Sequence, residues 1–260
     1  MIELNKIYNE DCLEGMKRIE DKSVDMILCD LPYGTTACKW DTVIPFEPLW
    51  EQYKRIIKDS GVIALFGSEP FSSALRMSNI KEYKYDWYWK KTKAVGFQHS
   101  KNKPMKIIET ISIFSKAPMG HISQLGDKRM MYNPQGIIPT KTKVVSEVWH
   151  GNMMGARPNQ VGKEYMAYTN FPNDFLEYKQ PVGKESIHPT QKSVELEEYL
   201  IKTYTNETET VLDNCMGSGT TAIACINTNR NYIGFELDNT YFNIANNRIN
   251  NLHNKNKIIT

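Results

Sequence analysis

The sequence is informative first for what it lacks. No apolar run approaches the ~20 residues of a membrane-spanning helix, so no membrane span is expected. Glu3, Asn5 and Lys6 interrupt any signal-peptide pattern at the N-terminus. The five cysteines (Cys12, Cys29, Cys38, Cys215 and Cys225) are scattered, and none forms a Cys-x-x-Cys pair. That spacing argues against a metal site and for a reducing, cytoplasmic setting. No repeat occurs at solenoid spacing. No Gly-Lys-Thr follows a glycine turn, which excludes a P-loop nucleotide hydrolase. What remains is a chain of 260 residues, 40% apolar, with enough material for a core. It suits one large α/β domain or a domain with an insertion.

Net charge is only +2, but its distribution is uneven. Residues 81–185 carry 17 Lys and Arg against 9 Asp and Glu, leaving 15 against 21 in the rest. A basic middle inside an acidic frame suits a polyanion on one face. Aromatics interleave with this charge at Tyr83, Tyr85, Trp87, Tyr88, Trp89 and Phe97. The mixture fits nucleic acid, although a solvated lysine-rich surface over core aromatics would read the same way.

Strand and helix patterns alternate through the first half. Lys6-Ile7-Tyr8-Asn9-Glu10-Asp11 reads as a short strand ending in acidic residues. A helix is expected over 12–19, and Asp11 either caps it or points at a ligand. The apolar run Val24–Cys29 reads as a buried strand ending at Asp30. The chain then turns through Pro32 and Gly34. This sets a carboxylate, a restricted backbone and the Tyr33 ring at the carboxyl end of a strand, where open α/β sheets bind ligands. A Pro-Gly turn with a packed tyrosine has the same local sequence, so this stretch alone leaves both readings open. An amphipathic helix is expected over 47–58, stopped by Ser60-Gly61. Strands at 62–66, 83–90 and 107–114 and a helix at 70–78 complete a pattern that predicts a doubly wound, mostly parallel sheet.

From 117 to 185 the rhythm breaks, and Pro and Gly punctuate a stretch where no helix of ordinary length fits. Loops this long are functional or disordered. It reads as an inserted, loop-rich lobe, with Arg129, Lys141, Lys143, Arg157, Asn159 and Gln160 suited to phosphate and base-edge contacts. A flexible interaction loop would look the same. The alternation resumes at His188-Pro189-Thr190-Gln191-Lys192-Ser193, where Thr190 or Ser193 caps a helix running to about 204. His188 stands alone and reads as a turn residue.

A second informative stretch is Thr210 to Thr221. A strand ends in Asp213, a turn contains Gly217 and Gly219, a helix runs through Ala222, Ile223, Ala224 and Ile226, and a further strand ends at Glu236. This is a βαβ nucleoside-binding pattern, in which glycines let the backbone approach a ligand and a later carboxylate holds ribose hydroxyls. The dinucleotide fingerprint is incomplete, because Ala222 stands at the third glycine position. Asp213 would repel a pyrophosphate but suits an amino-bearing or cationic ligand. S-adenosylmethionine has a ribose, a sulfonium and an amino group and no phosphate, so it fits better than a nicotinamide dinucleotide.

Asp30-Leu31-Pro32-Tyr33, residues 188–193 and Asp213-to-Thr221, in that order with an insertion between, resemble the S-adenosylmethionine-dependent DNA amino-methyltransferases of the beta class. The resemblance covers Tyr8 to Asn247. It implies a Rossmann-like methyltransferase fold, with residues 1–116 and 186–260 as the catalytic and cofactor-binding domain and 117–185 as the target-recognition region. It implies that Asp30 and the Leu31 carbonyl accept the two hydrogens of the target amine, with Pro32 shaping the turn and Tyr33 stacking on a base taken out of the duplex. Leu31 replaces the usual proline and keeps the carbonyl. The leading aspartate points to N6 of adenine, with cytosine N4, RNA, a protein amide or a non-catalytic binding role as the alternatives. For the cofactor it implies Asp11, Asp30, Lys192, Ser193, Asp213, Met216, Gly217, Ser218, Gly219, Thr220 and Glu236, and no metal. The implied partner is double-stranded DNA. Related enzymes often dimerise, and a homodimer and a cognate restriction endonuclease are carried as candidate partners. One departure is Ile108, between Lys106 and Glu109, where relatives have histidine.

Overall fold

The computed structural model describes residues 2–35, 41–145, 164–181 and 191–259. Its elements in chain order are β1 (Lys6–Tyr8), α1 (Cys12–Met16), β2 (Val24–Cys29), α2 (Phe46–Ile56), β3 (Ile57–Gly67), α3 (Phe71–Ser78), β4 (Tyr83–Val95), β5 (Lys106–Phe114), α4 (Ile122–Leu125), β6 (Ile138–Val145), β7 (Glu164–Thr169), β8 (Phe175–Glu177), α5 (Val194–Tyr204), β9 (Thr210–Asp213), α6 (Thr220–Asn227), β10 (Asn231–Phe235) and α7 (Asn239–Ile259). Eight strands form one sheet in the order β1-β10-β9-β2-β3-β5-β4-β8. Their pairings leave β5 alone running against the other seven.

Every residue of β2 is buried, as a central strand covered on both faces requires. Its side chains alternate between two cores. Met26 and Leu28 join one, with Leu196, Leu200 and Ile201 of α5, Ala222 and Cys225 of α6, and Ala245 and Ile249 of α7. Ile27 and Cys29 join the other, with Met16 of α1, Leu49, Tyr53 and Ile56 of α2, and Phe71 and Leu75 of α3. Helices α1–α3 thus cover one face and α5–α7 the other, giving three layers.

Two expected boundaries move. Helix α1 stops at Met16, where Arg55 of α2 takes the carbonyls of Met16 and Ile19 at 2.7 Å each and so satisfies the helix end. Helix α2 passes directly into β3 at Ile57, so Ser60 and Gly61 lie inside a strand and are not a stop. Gly61 is there for close approach, since a Cβ would meet the Asp25 carbonyl at 2.8 Å where the β2–β3 register shifts. Ser193 stands at the N-cap of α5 but makes no side-chain cap bond, and Thr190 lies outside the described residues.

The loop-rich stretch expected over 117–185 divides. One compact unit is Pro134–Asn173, which contains the β6–β7 hairpin. Its flanks belong to the sheet unit: Met130 is buried and donates to the Pro118 carbonyl, and Leu176 of β8 is buried where β8 pairs with β4. Among the described residues Cys12, Cys29, Cys215 and Cys225 are free thiols, and no helix is long and apolar enough to cross a membrane.

Candidate active site

Strand order reverses between β9 and β2. From β9 the chain winds through α6 to β10, and from β2 through α2 to β3, in opposite directions along the sheet. The crevice outside the carboxyl ends at such a point is where open sheets take ligands. Asp213 closes β9 and Asp30 follows β2, so the two carboxylates predicted from separate stretches meet on this edge. A cavity of about 860 Å³ opens there, within the range of ligand sites.

The walls of the cavity come from the predicted residues and others. Asp11, Asp30, Leu31, Pro32, Tyr33, Lys192, Asp213, Met216, Gly217, Ser218, Thr220 and Glu236 all line it. Ser193 and Gly219 do not line it. Gly219 instead sets the entry to α6 at φ +82°, packed so that a Cβ would lie 3.0 Å from that of Ala245.

The glycine turn is held by its own carboxylates. Asp213 accepts from the Cys215 amide at 3.0 Å and the Thr221 hydroxyl at 2.5 Å. Glu236 accepts from the Gly217 amide at 2.7 Å and the Asp238 amide at 2.8 Å. Burial raises both pKa values, that of Asp213 to about 6. Asp11 caps α1, its Oδ1 accepting from the amides of Leu13 at 2.8 Å and Glu14 at 3.2 Å, so capping and cavity-lining fall on the same residue.

On the same cavity Asp30 is bound twice. Its Oδ1 accepts from the Tyr33 hydroxyl at 2.6 Å, and its Oδ2 pairs with Lys192. The Tyr33 ring stacks on Phe71 at 5.0 Å between centroids. Asp41 holds the loop by accepting from the amides of Gly34 at 2.8 Å and Thr35 at 2.9 Å.

Lys192 is expected near a cofactor carboxylate, yet its described partner is Asp30. It belongs to a buried chain of alternating charge. Glu109 lies 3.7 Å from Lys192 and pairs with Lys91. Burial opposes the charge on Lys192, and the carboxylates of Asp30 and Glu109 overcome it, raising its pKa. Burial likewise works against the Glu109 charge, and Lys192 and Lys91 overcome that, holding it below its ordinary range. The reversal of β5 explains how Glu109 reaches this edge: the start of β5, not its end, lies beside the ends of β3 and β4.

Sequence patterns single out neither Lys91 nor Glu197, which also line the cavity. Lys91 has no local signal, because its partner lies on the neighbouring strand. Glu197 has one: it sits three residues before Leu200 and four before Ile201, on the buried stripe of α5. His188, Pro189, Arg157, Asn159, Gln160 and Cys38 lie outside the described residues.

Comparison with known proteins agrees with this geometry. The chain is 27% identical to the Type II methyltransferase M1.MboII of Moraxella bovis over 97% of this chain and 99% of that one. It is 27% identical to the Type II methyltransferase M.HpaI of Haemophilus parainfluenzae, over 94% and 74%. Among solved structures it shares its fold with M1.HpyAVI in complex with SAM, at 24% identity, TM-score 0.61 and coverage of 94% and 98%. It also shares it with the cytosine-N4-specific PvuII DNA methyltransferase, at 14% identity, TM-score 0.62 and coverage of 92% and 84%. A family model for DNA methylases of the N6/N4 methyltransferase type matches residues 24–247, across both motifs and everything between them, and the chain belongs to that family.

Proposed function

We propose that this DNA methyltransferase moves a methyl group from S-adenosylmethionine to the N6 amine of adenine in a base taken out of double-stranded DNA. The observation that carries this reading is the shared cavity: Asp30 to Tyr33 and, Gly219 apart, the Asp213–Thr221 turn line one space at the switch point of the sheet. The residues fit the cofactor. Gly217 and Gly219 take positive φ in the turn, Glu236 faces the space, and the buried carboxyls of Asp213 and Glu197 line its wall. Bound there, the cofactor supplies a methyl group on a sulfonium.

The chain's own residues do the rest. Asp30 and the Leu31 carbonyl accept the two amine hydrogens and so aim the nitrogen lone pair. The Asp30 oxygens each carry one bond, and a carboxylate has about four acceptor positions, so room remains for the amine. The face of Tyr33 away from Phe71 stacks on the base. Catalysis is positioning plus stabilisation of positive charge developing on nitrogen, and no cysteine is needed as nucleophile.

The Pro134–Asn173 unit, with Lys141 and Lys143 on β6, is proposed to read the DNA sequence, in keeping with the target-recognition role expected for the insertion. A homodimer and a companion endonuclease are candidate partners on the same ground. The test is to incubate the protein with the labelled cofactor and unmethylated DNA, digest the DNA to nucleosides and separate them by mass. Label in N6-methyladenine is expected. Label in N4-methylcytosine would retain the mechanism and overturn the base assignment.

A further inference from the structure

Glu197 lies early in α5, on the stripe that carries Leu196, Leu200 and Ile201, and is only 3% exposed. A carboxyl so buried is costly unless it is paired. Its Oε2 has no hydrogen-bond partner among the described residues. It shares the cavity wall with Asp213, and Thr221 of α6 lies within hydrogen-bonding reach of both carboxyls. The other groups facing it are Asp30 after β2, Lys192 ahead of α5, Cys225 on α6 and Arg248 on α7. Both of these cations have other partners. Lys192 pairs with Asp30, and Arg248 donates to the carbonyl and hydroxyl of Ser218. Burial pushes Glu197 up to about 8 and Asp213 to about 6, as for two carboxyls sharing an apolar wall.

We propose that Glu197 is a cofactor-binding residue that, together with Asp213, accepts the α-ammonium on the amino-acid tail of S-adenosylmethionine. The assignment rests on the cofactor reading given above. An ammonium has three donors and no acceptor, and two carboxyls on one wall match it. A cation between the carboxyls lets both ionise, so binding expels a proton from Glu197.

The test is calorimetric binding of S-adenosylhomocysteine, which keeps the tail and transfers nothing, to the full chain at pH 7 in two buffers of different ionisation heat. The wild type is expected to release about one proton per ligand, which is what a carboxyl titrating near 8 holds at pH 7. Glu197→Gln is expected to bind about tenfold or more weakly and to lose this proton release. The control ligand is 5′-methylthioadenosine, which has the nucleoside and thioether without the tail. Its affinity is expected to be equal in both proteins. Unchanged homocysteine-ligand affinity in Glu197→Gln, or an equal loss for the two ligands, would overturn the assignment. So would zero protons released by the wild type, a measurement that needs no variant to fold. A wild type that binds neither ligand would refute the cofactor reading itself, and this assignment with it.

Discussion

Replacing Lys192 by methionine removes one charge from the middle of the buried network and keeps most of the side-chain length. Lys192 stands between Asp30 and Glu109 with its side chain only 7% exposed. After the change Glu109 keeps Lys91, whereas Asp30 keeps the Tyr33 hydroxyl and no cation among these groups. Removing one partner of a buried ion pair costs about 3–5 kcal/mol, because the other charge stays buried. For a chain of this size each kcal/mol moves Tm by about 2–4 °C, so a fall of roughly 6–20 °C is expected at pH 7. Adding Asp30→Asn removes the stranded charge, and the double variant should lose less than the two single variants together. The pH window follows from the shifts. The folded pKa of Lys192 is raised, so its contribution is present below the unfolded lysine value, near 10.4, and lost as pH rises through the folded value. That of Glu109 is lowered, so its contribution is present above the unfolded glutamate value and lost as pH falls through the folded one. The gap between wild type and Lys192→Met should therefore be widest between about pH 5 and pH 10. Thermal unfolding followed by circular dichroism across that range reads it. A destabilisation below about 1 kcal/mol, or strict additivity in the double variant, would show that the network is not coupled in this way.

Three further outcomes are expected. Gly15→Ala drives a Cβ into the Phe235 ring, which is fully buried on β10, and should cost about 1–3 kcal/mol in urea unfolding. Glu197 and Asp213 have raised folded pKa values, so the stability they contribute is full below the unfolded carboxyl range and is lost as pH rises through about 6 and about 8. Glu197→Gln should thus gain on the wild type between pH 5 and pH 9, by roughly 3–5 kcal/mol at about 1.4 kcal/mol per unit, read as Tm without ligand. Neutralising Lys141 and Lys143 should weaken DNA binding at all sequences and lower the salt slope by about one for each phosphate these lysines neutralise; an unchanged slope would move the binding surface elsewhere.

The ligand-binding edge was legible because two strands announced their ends chemically. Val24–Cys29 and Thr210–Asp213 are apolar runs closed by a carboxylate and a turn, and the structure brings those two ends side by side. The direction of β5 was not legible, since an apolar run such as Ile111–Phe114 reads the same in a parallel and an antiparallel strand. For that reason Glu109 stayed unassigned beside Ile108, although it carries the centre of the ion network. The start of β3 at Ile57 was hidden because Ser60-Gly61 has the local chemistry of a helix stop, and only tertiary contact with Asp25 uses the glycine inside a strand. Glycine and proline marked the whole stretch 117–185 alike. They do not reveal that Met130 and Leu176 bury themselves on the sheet unit while Pro134–Asn173 forms its own.

The most direct test of the role given to Asp30 compares wild type and Asp30→Ala in one vessel each, with labelled S-adenosylmethionine and unmethylated DNA. Cofactor binding is measured on the same samples. The wild type is expected to label the DNA, and Asp30→Ala to transfer at least about a hundredfold more slowly with nearly equal cofactor affinity. Transfer that survives without Asp30, or cofactor binding that disappears along with transfer, would contradict that role.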